Sequence, residues 1–168
     1  MQKSIFNNNT IQMKELIDFQ IPYYGTKEVK GEKSNPFILK IIKWIIPNAD
    51  DDSTTAWCAI WAAWVLYKNG VLSNSDILKY RGKLASSRFL ASILETTENP
   101  EIGDVVLLWR LGQNSHKGHI GFLYKAIDAS QDYIYIYGGN QGDSVCDAAF
   151  LKTRIVSFHK AIKRADLV

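Results

Sequence analysis

Cysteine is scarce in this chain, with only Cys58 and Cys146 among 168 residues. A disulfide framework is thereby excluded, and a single bridge is not expected, because a domain of this length builds a core without one. No apolar run reaches the length of a membrane span, and the opening MQKSIFNNNTIQMKELIDF lacks the hydrophobic stretch of a signal peptide. The expectation is a protein made in the cytoplasm without an export signal. Charge of one sign is also missing: 20 Lys and Arg face 17 Asp and Glu, spread along the chain, for a net +3. That balance is a weak argument for an anionic partner, and no nucleic acid is expected. Repeats and low-complexity tracts are absent.

What is present reads as one folded domain over residues 1–168, with 1–10 a polar lead-in; 46% of residues are hydrophobic and 22% charged. A first helix is expected from Ile11 through Leu16 and Phe19, ending before Pro22. Ser34-Asn35-Pro36 offers a cap followed by proline at the first helical position, so a second helix runs through Phe37, Ile38, Ile41, Ile42 and Ile45 and stops at Pro47. Residues 48–55 form a polar loop that supplies Ser and Thr caps to AWCAIWAAWVLYKNG, an Ala-rich helix closed by Asn69-Gly70. Its Trp57, Trp61 and Trp64 make an aromatic stripe of the kind that packs a core. Asp76–Tyr80 and Lys83–Leu94 add helical turns.

After Gly103 the period changes. DVVLLW, HIGFLYKAI, DYIYIY and TRIVSFH are rich in β-branched and aromatic residues and read as strands, with Cys146 a buried strand residue. Helices first and strands after describe an α+β chain, N-terminal helices packed on an antiparallel β-sheet.

Cys58 opens the Trp-rich helix, where free N–H groups and the positive end of the helix dipole favour a thiolate. Position alone fits a small buried apolar residue as well. His119 begins HIGFL between two glycines, whereas His116 in a loop and His159 in a basic tail read as solvated. GGNQGD, residues 138–143, follows the next strand, so antiparallel pairing brings Asn140 toward His119, although a plain β-turn accounts for the same letters. Nucleophile on a helix start, base on a strand and amide after the next strand is the order of a papain-like cysteine hydrolase. No Cys or His spacing suits zinc, and Gly138-Gly139 opens no phosphate-binding helix. Lys152, Arg154, Lys160, Lys163 and Arg164 thicken the C-terminal end with positive charge, usually a solvated face that could favour an anionic wall polymer.

Several stretches carry a resemblance: Gly25, Lys27, Glu28, Gly31, Ser34, Asn35, Pro36 and Ile38; Trp57-Cys58-Ala59; Gly103-Asp104; Gly118 to Phe122; and Gly138 to Gln141. Over about residues 20 to 145 the chain resembles the bacterial and phage CHAP-type peptidoglycan hydrolases of the NlpC-like, papain-like superfamily. The resemblance implies Cys58 as nucleophile, His119 as general base and acid, and Asn140 as the residue orienting the imidazole, with Trp57, Glu28 and Gln141 beside the substrate. Many relatives place a glutamate two positions before that asparagine, where this chain has Gly138. Some bind calcium through an acidic loop near the nucleophile; Asp50, Asp51 and Asp52 occupy that place, but a solvated capping loop explains them as well and no metal is assigned.

The implied activity is cleavage of an amide in or next to the peptidoglycan stem peptide, with no cofactor, by a monomer that reaches the wall after release or secretion. An immunity protein is an expected partner if the chain is a secreted toxin. A cysteine acyltransferase or protein peptidase built on the same residues, or a silent wall-binding or interaction module with Cys58 in its core, are the alternatives.

Overall fold

A computed structural model describes residues 14–30 and 34–162; the expected roles of Ile11, Gly31, Lys163 and Arg164 lie outside them. The chain is α+β, with helices followed by an antiparallel sheet. Residues 14–20 form α1, followed by a 3₁₀ turn at Ile21–Tyr23. Pro36–Ile45 is α2, and its cap is Asn35, whose side chain accepts from the N–H groups of Phe37 and Ile38. Such a cap is worth about 1 kcal/mol. Helix α3, Cys58–Lys68, is central: Cys58 to Ala63, Val65 and Leu66 are all buried, which is why its sequence is apolar on every face. Gly70 takes φ 73° just beyond its end, the left-handed stop that Asn69-Gly70 suggests. Helix α4 is Asn74–Tyr80. The helical turns expected over 83–94 are a 3₁₀ turn, Arg81–Ala85, and a short α5, Ser87–Ser92, separated where Ser86 leaves the helical region to cap α5 through the Phe89 N–H.

Six strands follow: β1 Thr96–Thr97, β2 Val105–Trp109, β3 Gly118–Leu123, β4 Tyr133–Gln141, β5 Ser144–Leu151 and β6 Ile155–His159. Their order is β1-β6-β2-β3-β4-β5, and every pairing is antiparallel. Alternation divides the sheet residues between two faces. Val105, Leu107, Ile120, Phe122, Tyr137 and Val145 join the helices in the main core. Val106, Leu108, Leu123, Ile134 and Ile136 form a second cluster on the opposite face with Phe150, Ile155 and Phe158 around it.

The glycines of the sheet are set by close approach. A Cβ on Gly139 would stand 2.5 Å from the Trp57 ring and 2.6 Å from Trp61, and one on Gly121 would meet Ile136 at 2.5 Å. Gly142 and Asp143 both have positive φ, 57° and 63°, and form the two-residue hairpin between β4 and β5. Strand β4 therefore runs through GGNQ, and the turn proper is only its last two residues.

Candidate functional site

No side chain caps α3; its N-cap is Trp57, so the expected Ser and Thr caps do not form. That vacancy matters chemically, since backbone N–H groups at the helix start remain available. The backbone N–H groups of Ile120 in β3, of Ala59 and of Cys58 itself lie near enough to favour the charged form of the Cys58 sulfur. Ile120 is available because the β3–β4 ladder is confined to Phe122↔Tyr137 and Leu123↔Ile136. The thiol thus sits against the peptide that joins His119 to Ile120. Burial pushes its pKa up, outweighing these donors and the nearby Arg110 charge, which pull it down. With 3% of its surface exposed, Cys58 rests as a neutral thiol rather than as the thiolate that its helix position suggests.

His119 stands at the start of β3 on the face opposite Ile120, its ring stacked on Phe150 with centroids 5.2 Å apart. Its Nε2 lies 3.0 Å from Gln141 Oε1. The amide nitrogen of Gln141 donates to the carbonyls of Ile136 and Cys146, so Oε1 must be the atom facing the ring and can only accept. Nε2 therefore carries the proton, and Nδ1 keeps its lone pair. Burial pushes the imidazole pKa down to about 4; the Gln141 bond opposes this, and Arg110 and Arg154 add to it. The ring and the thiol are both neutral near pH 7, and no hydrogen bond joins them.

The partner of the imidazole is Gln141 and not Asn140. Between Gly138 and Gln141 the β4–β5 register shifts by one residue, and Asn140 takes φ 58° there. This bulge uses Asn140 as the extra residue and returns Gln141 to the His119 side. Asn140 still lines the cleft described below. Reading GGNQGD as a turn near His119 brings Asn140 forward; the bulge puts its neighbour on the ring instead.

A cleft of about 640 Å³ opens beside His119, lined by Asn140, Gln141, Phe150, Arg110, Arg154 and Glu28, and by loop residues 53–56. Cys58 lies two residues behind that loop and does not line it. Of the three residues the resemblance puts beside substrate, Glu28 and Gln141 line this cleft. Trp57 does not: only 2% exposed, it belongs to the core, and its indole N–H donates to Glu28 Oε2 at 3.0 Å.

Other motif residues turn out to be framework. Asp52 is fully buried; its Oδ2 accepts from Asn35 N at 2.7 Å and Val29 N at 3.3 Å, and Ser34 Oγ receives the Asp52 N–H at 3.2 Å. Asp51 accepts from the backbone and hydroxyl of Ser53. Asp52 therefore ties two backbone segments together while Asp50 stands in solvent, and no group of three or more His, Cys, Asp or Glu among the described residues is placed to hold a metal. Asp104 is likewise buried, accepting from Glu101 N and Lys160 Nζ. His116 is exposed, as expected, but His159 is buried and bonded to Ser157 and Leu94. Cys146 lies in β5, half-buried, and both thiols are free.

Gln20 and Arg110 escape a sequence reading, and Arg154 enters it only as part of a basic C-terminal stretch. Gln20 is fully buried and accepts from Trp61 Nε1 at 2.8 Å, fixing α1 to α3; a lone Gln gives no periodic signal. Arg110 and Arg154 come to the cleft because β2 pairs with both β3 and β6, bringing the Trp109 end of β2, the start of β3 and the start of β6 to one sheet end. Only the strand order reveals that. Comparison with family models, with curated proteins and with solved structures returned no match.

Proposed function

We propose that this chain is a papain-like cysteine hydrolase of the CHAP type, cleaving an amide in or next to the peptidoglycan stem peptide. The observation that carries the reading is the Gln141 amide, locked by two backbone carbonyls, which holds His119 with Nδ1 unprotonated. A structural histidine at a strand start needs only one satisfied nitrogen; this one keeps the other free to act as a base, one residue from Ile120, whose backbone N–H acts on the helix-start thiol.

In the reaction the Cys58 sulfur attacks the amide carbon while its proton passes to Nδ1. Backbone N–H at the start of α3 steadies the oxyanion. Collapse breaks the C–N bond as the imidazolium returns the proton to the leaving nitrogen, and water, deprotonated by the same Nδ1, cleaves the thioester to the acid and the free thiol. Because thiol and ring rest neutral, attack and proton transfer are coupled, and no standing ion pair is required.

Purified sacculi incubated with wild type, Cys58→Ala and His119→Ala, followed by mass spectrometry of released fragments, test this. Wild type releases fragments with one new amine and one new carboxyl terminus, and both variants release none. Equal digestion by Cys58→Ala sinks the mechanism, and an acyl group transferred to an added amine instead of water identifies an acyltransferase. The burial of Cys58 favours a second reading, a silent wall-binding module. In that case sacculi retain the protein without product, and iodoacetamide labels Cys58 no faster than it would a core cysteine.

A further inference from the structure

Arg110 and Arg154 both line the cleft with His119, and both lie close enough for their charge to act on its ring. Among the described residues neither guanidinium has a carboxylate partner within salt-bridge distance. Arg154 is held in place: Nε and Nη2 reach the Trp109 carbonyl at 3.3 and 3.2 Å, and its guanidinium lies 5.2 Å over the Phe150 ring, which itself stacks on His119. Arg110 is exposed, and among the described residues its side chain has no hydrogen-bond partner. Two uncompensated cations beside a buried base oppose the proton that catalysis must place there, a cost that an incoming anion relieves. The rest of the cleft limits that anion. Glu28 and Asp143 also line it, with Asp143 paired to Lys30 at 3.5 Å, so an extended polyanion meets repulsion where a single carboxylate does not.

We propose that Arg110 and Arg154 receive a carboxylate carried by the amine-side fragment of the substrate, so that the chain prefers amides whose leaving residue bears a free carboxyl group. The side follows from chemistry: the general acid delivers its proton to the leaving nitrogen, so the leaving residue lies at His119, where both arginines are. The pairing of guanidinium with carboxylate is planar and charge-assisted, which gives direction as well as attraction. Its occupation also removes the charge that opposes protonation of His119, so binding of the correct substrate itself raises the basicity of the base. The choice of side rests on the hydrolase reading; the carboxylate site rests on the cleft alone.

Two measurements separate them. In the first, sacculi are compared before and after their free carboxyl groups are converted to amides with carbodiimide and ammonia. Wild type releases fragments from untreated sacculi about tenfold faster, and in Arg110→Gln and Arg154→Gln the ratio falls toward one. Equal rates on both substrates with wild type overturn the proposal. The second needs no turnover: the His119 ring is titrated by NMR in Cys58→Ala, with the tripeptide L-alanyl-γ-D-glutamyl-diaminopimelate or its fully amidated form added. The acid form raises the His119 pKa, the amidated form leaves it in place, and Arg110→Gln abolishes the rise. Should wild type digest neither kind of sacculus, the hydrolase reading fails while this titration still decides the carboxylate site; a ring pKa indifferent to the acid tripeptide removes it.

Discussion

The two halves of the candidate site are held in opposite ways. Cys58 is fixed by packing, at the head of a helix whose next five residues are buried to 1% exposure or less. His119 is fixed by directed polar contacts: Gln141 to the ring, and the Ile136 and Cys146 carbonyls to Gln141. Packing is non-directional and sets where the sulfur lies; hydrogen bonds are directional and set which ring nitrogen keeps its lone pair. Damage to the first half is therefore expected to appear as lost stability, and damage to the second as lost turnover in a folded protein.

The sharpest break of the packed half is Gly139→Val. A side chain there meets Trp57 and Trp61 at 2.5 and 2.6 Å, and overpacking between α3 and β4 should cost about 3 kcal/mol. Urea denaturation followed by tryptophan fluorescence measures it, and a midpoint equal to wild type would show that α3 does not bear on β4 as described.

On the polar half, Gln141→Leu fills similar space but cannot accept from Nε2. The expected result is a folded protein whose kcat falls on the order of a hundredfold with KM little changed, as for residues that orient a catalytic histidine. Nitrogen NMR of the ring should show the tautomer no longer fixed. A kcat within twofold or so of wild type would remove Gln141 from this role.

Acid sharpens the comparison without mutation. In the fold His119 stays neutral down to about pH 4, whereas in the unfolded chain it binds a proton near its ordinary 6.5. The unfolded state therefore binds more protons across that window, so stability rises with pH through it and is lost on acidification. From about pH 7 to about pH 5 the loss from this group is about 2 kcal/mol. Burial holds the pKa of His159 down too, which acts in the same direction. Denaturation midpoints at the two pH values should differ accordingly, and a pH-independent midpoint would mean that neither ring is buried.

The smallest effect belongs to Asn140→Ala. Without a hydrogen bond to the ring, its loss should leave kcat within about threefold of wild type, while alanine at φ 58° costs about 1 kcal/mol of stability. A hundredfold fall in kcat would return the orienting role to Asn140.

Much of the fold was legible beforehand. The cap at Asn35, the stop at Asn69-Gly70 and four of the strands follow from local chemistry, each decided by a few neighbouring residues. Strand β5, SVCDAAFL, is legible only at Cys146 because it is not rich in β-branched residues; its extent comes from pairing with β4 along nearly its full length. The turns over 83–94 are legible as helical, but the break at Ser86 between Arg81–Ala85 and Ser87–Ser92 is not, since periodicity cannot register a single residue that leaves the helical region.

By itself the sequence determined the order of elements, the antiparallel α+β class and the candidacy of Cys58 and His119, because spacing, caps and helix position are properties of contiguous residues. Tertiary structure decided the rest. It chose Gln141 over Asn140 through a one-residue bulge, placed Trp57 in the core instead of the cleft, turned Asp52 inward onto two backbone N–H groups, and gathered Arg110 and Arg154 around His119. Each of these depends on which strand lies beside which and on how far a group is taken out of water. Both are set by the packed chain as a whole, and the same burial turns a helix-start cysteine from an expected thiolate into a neutral thiol.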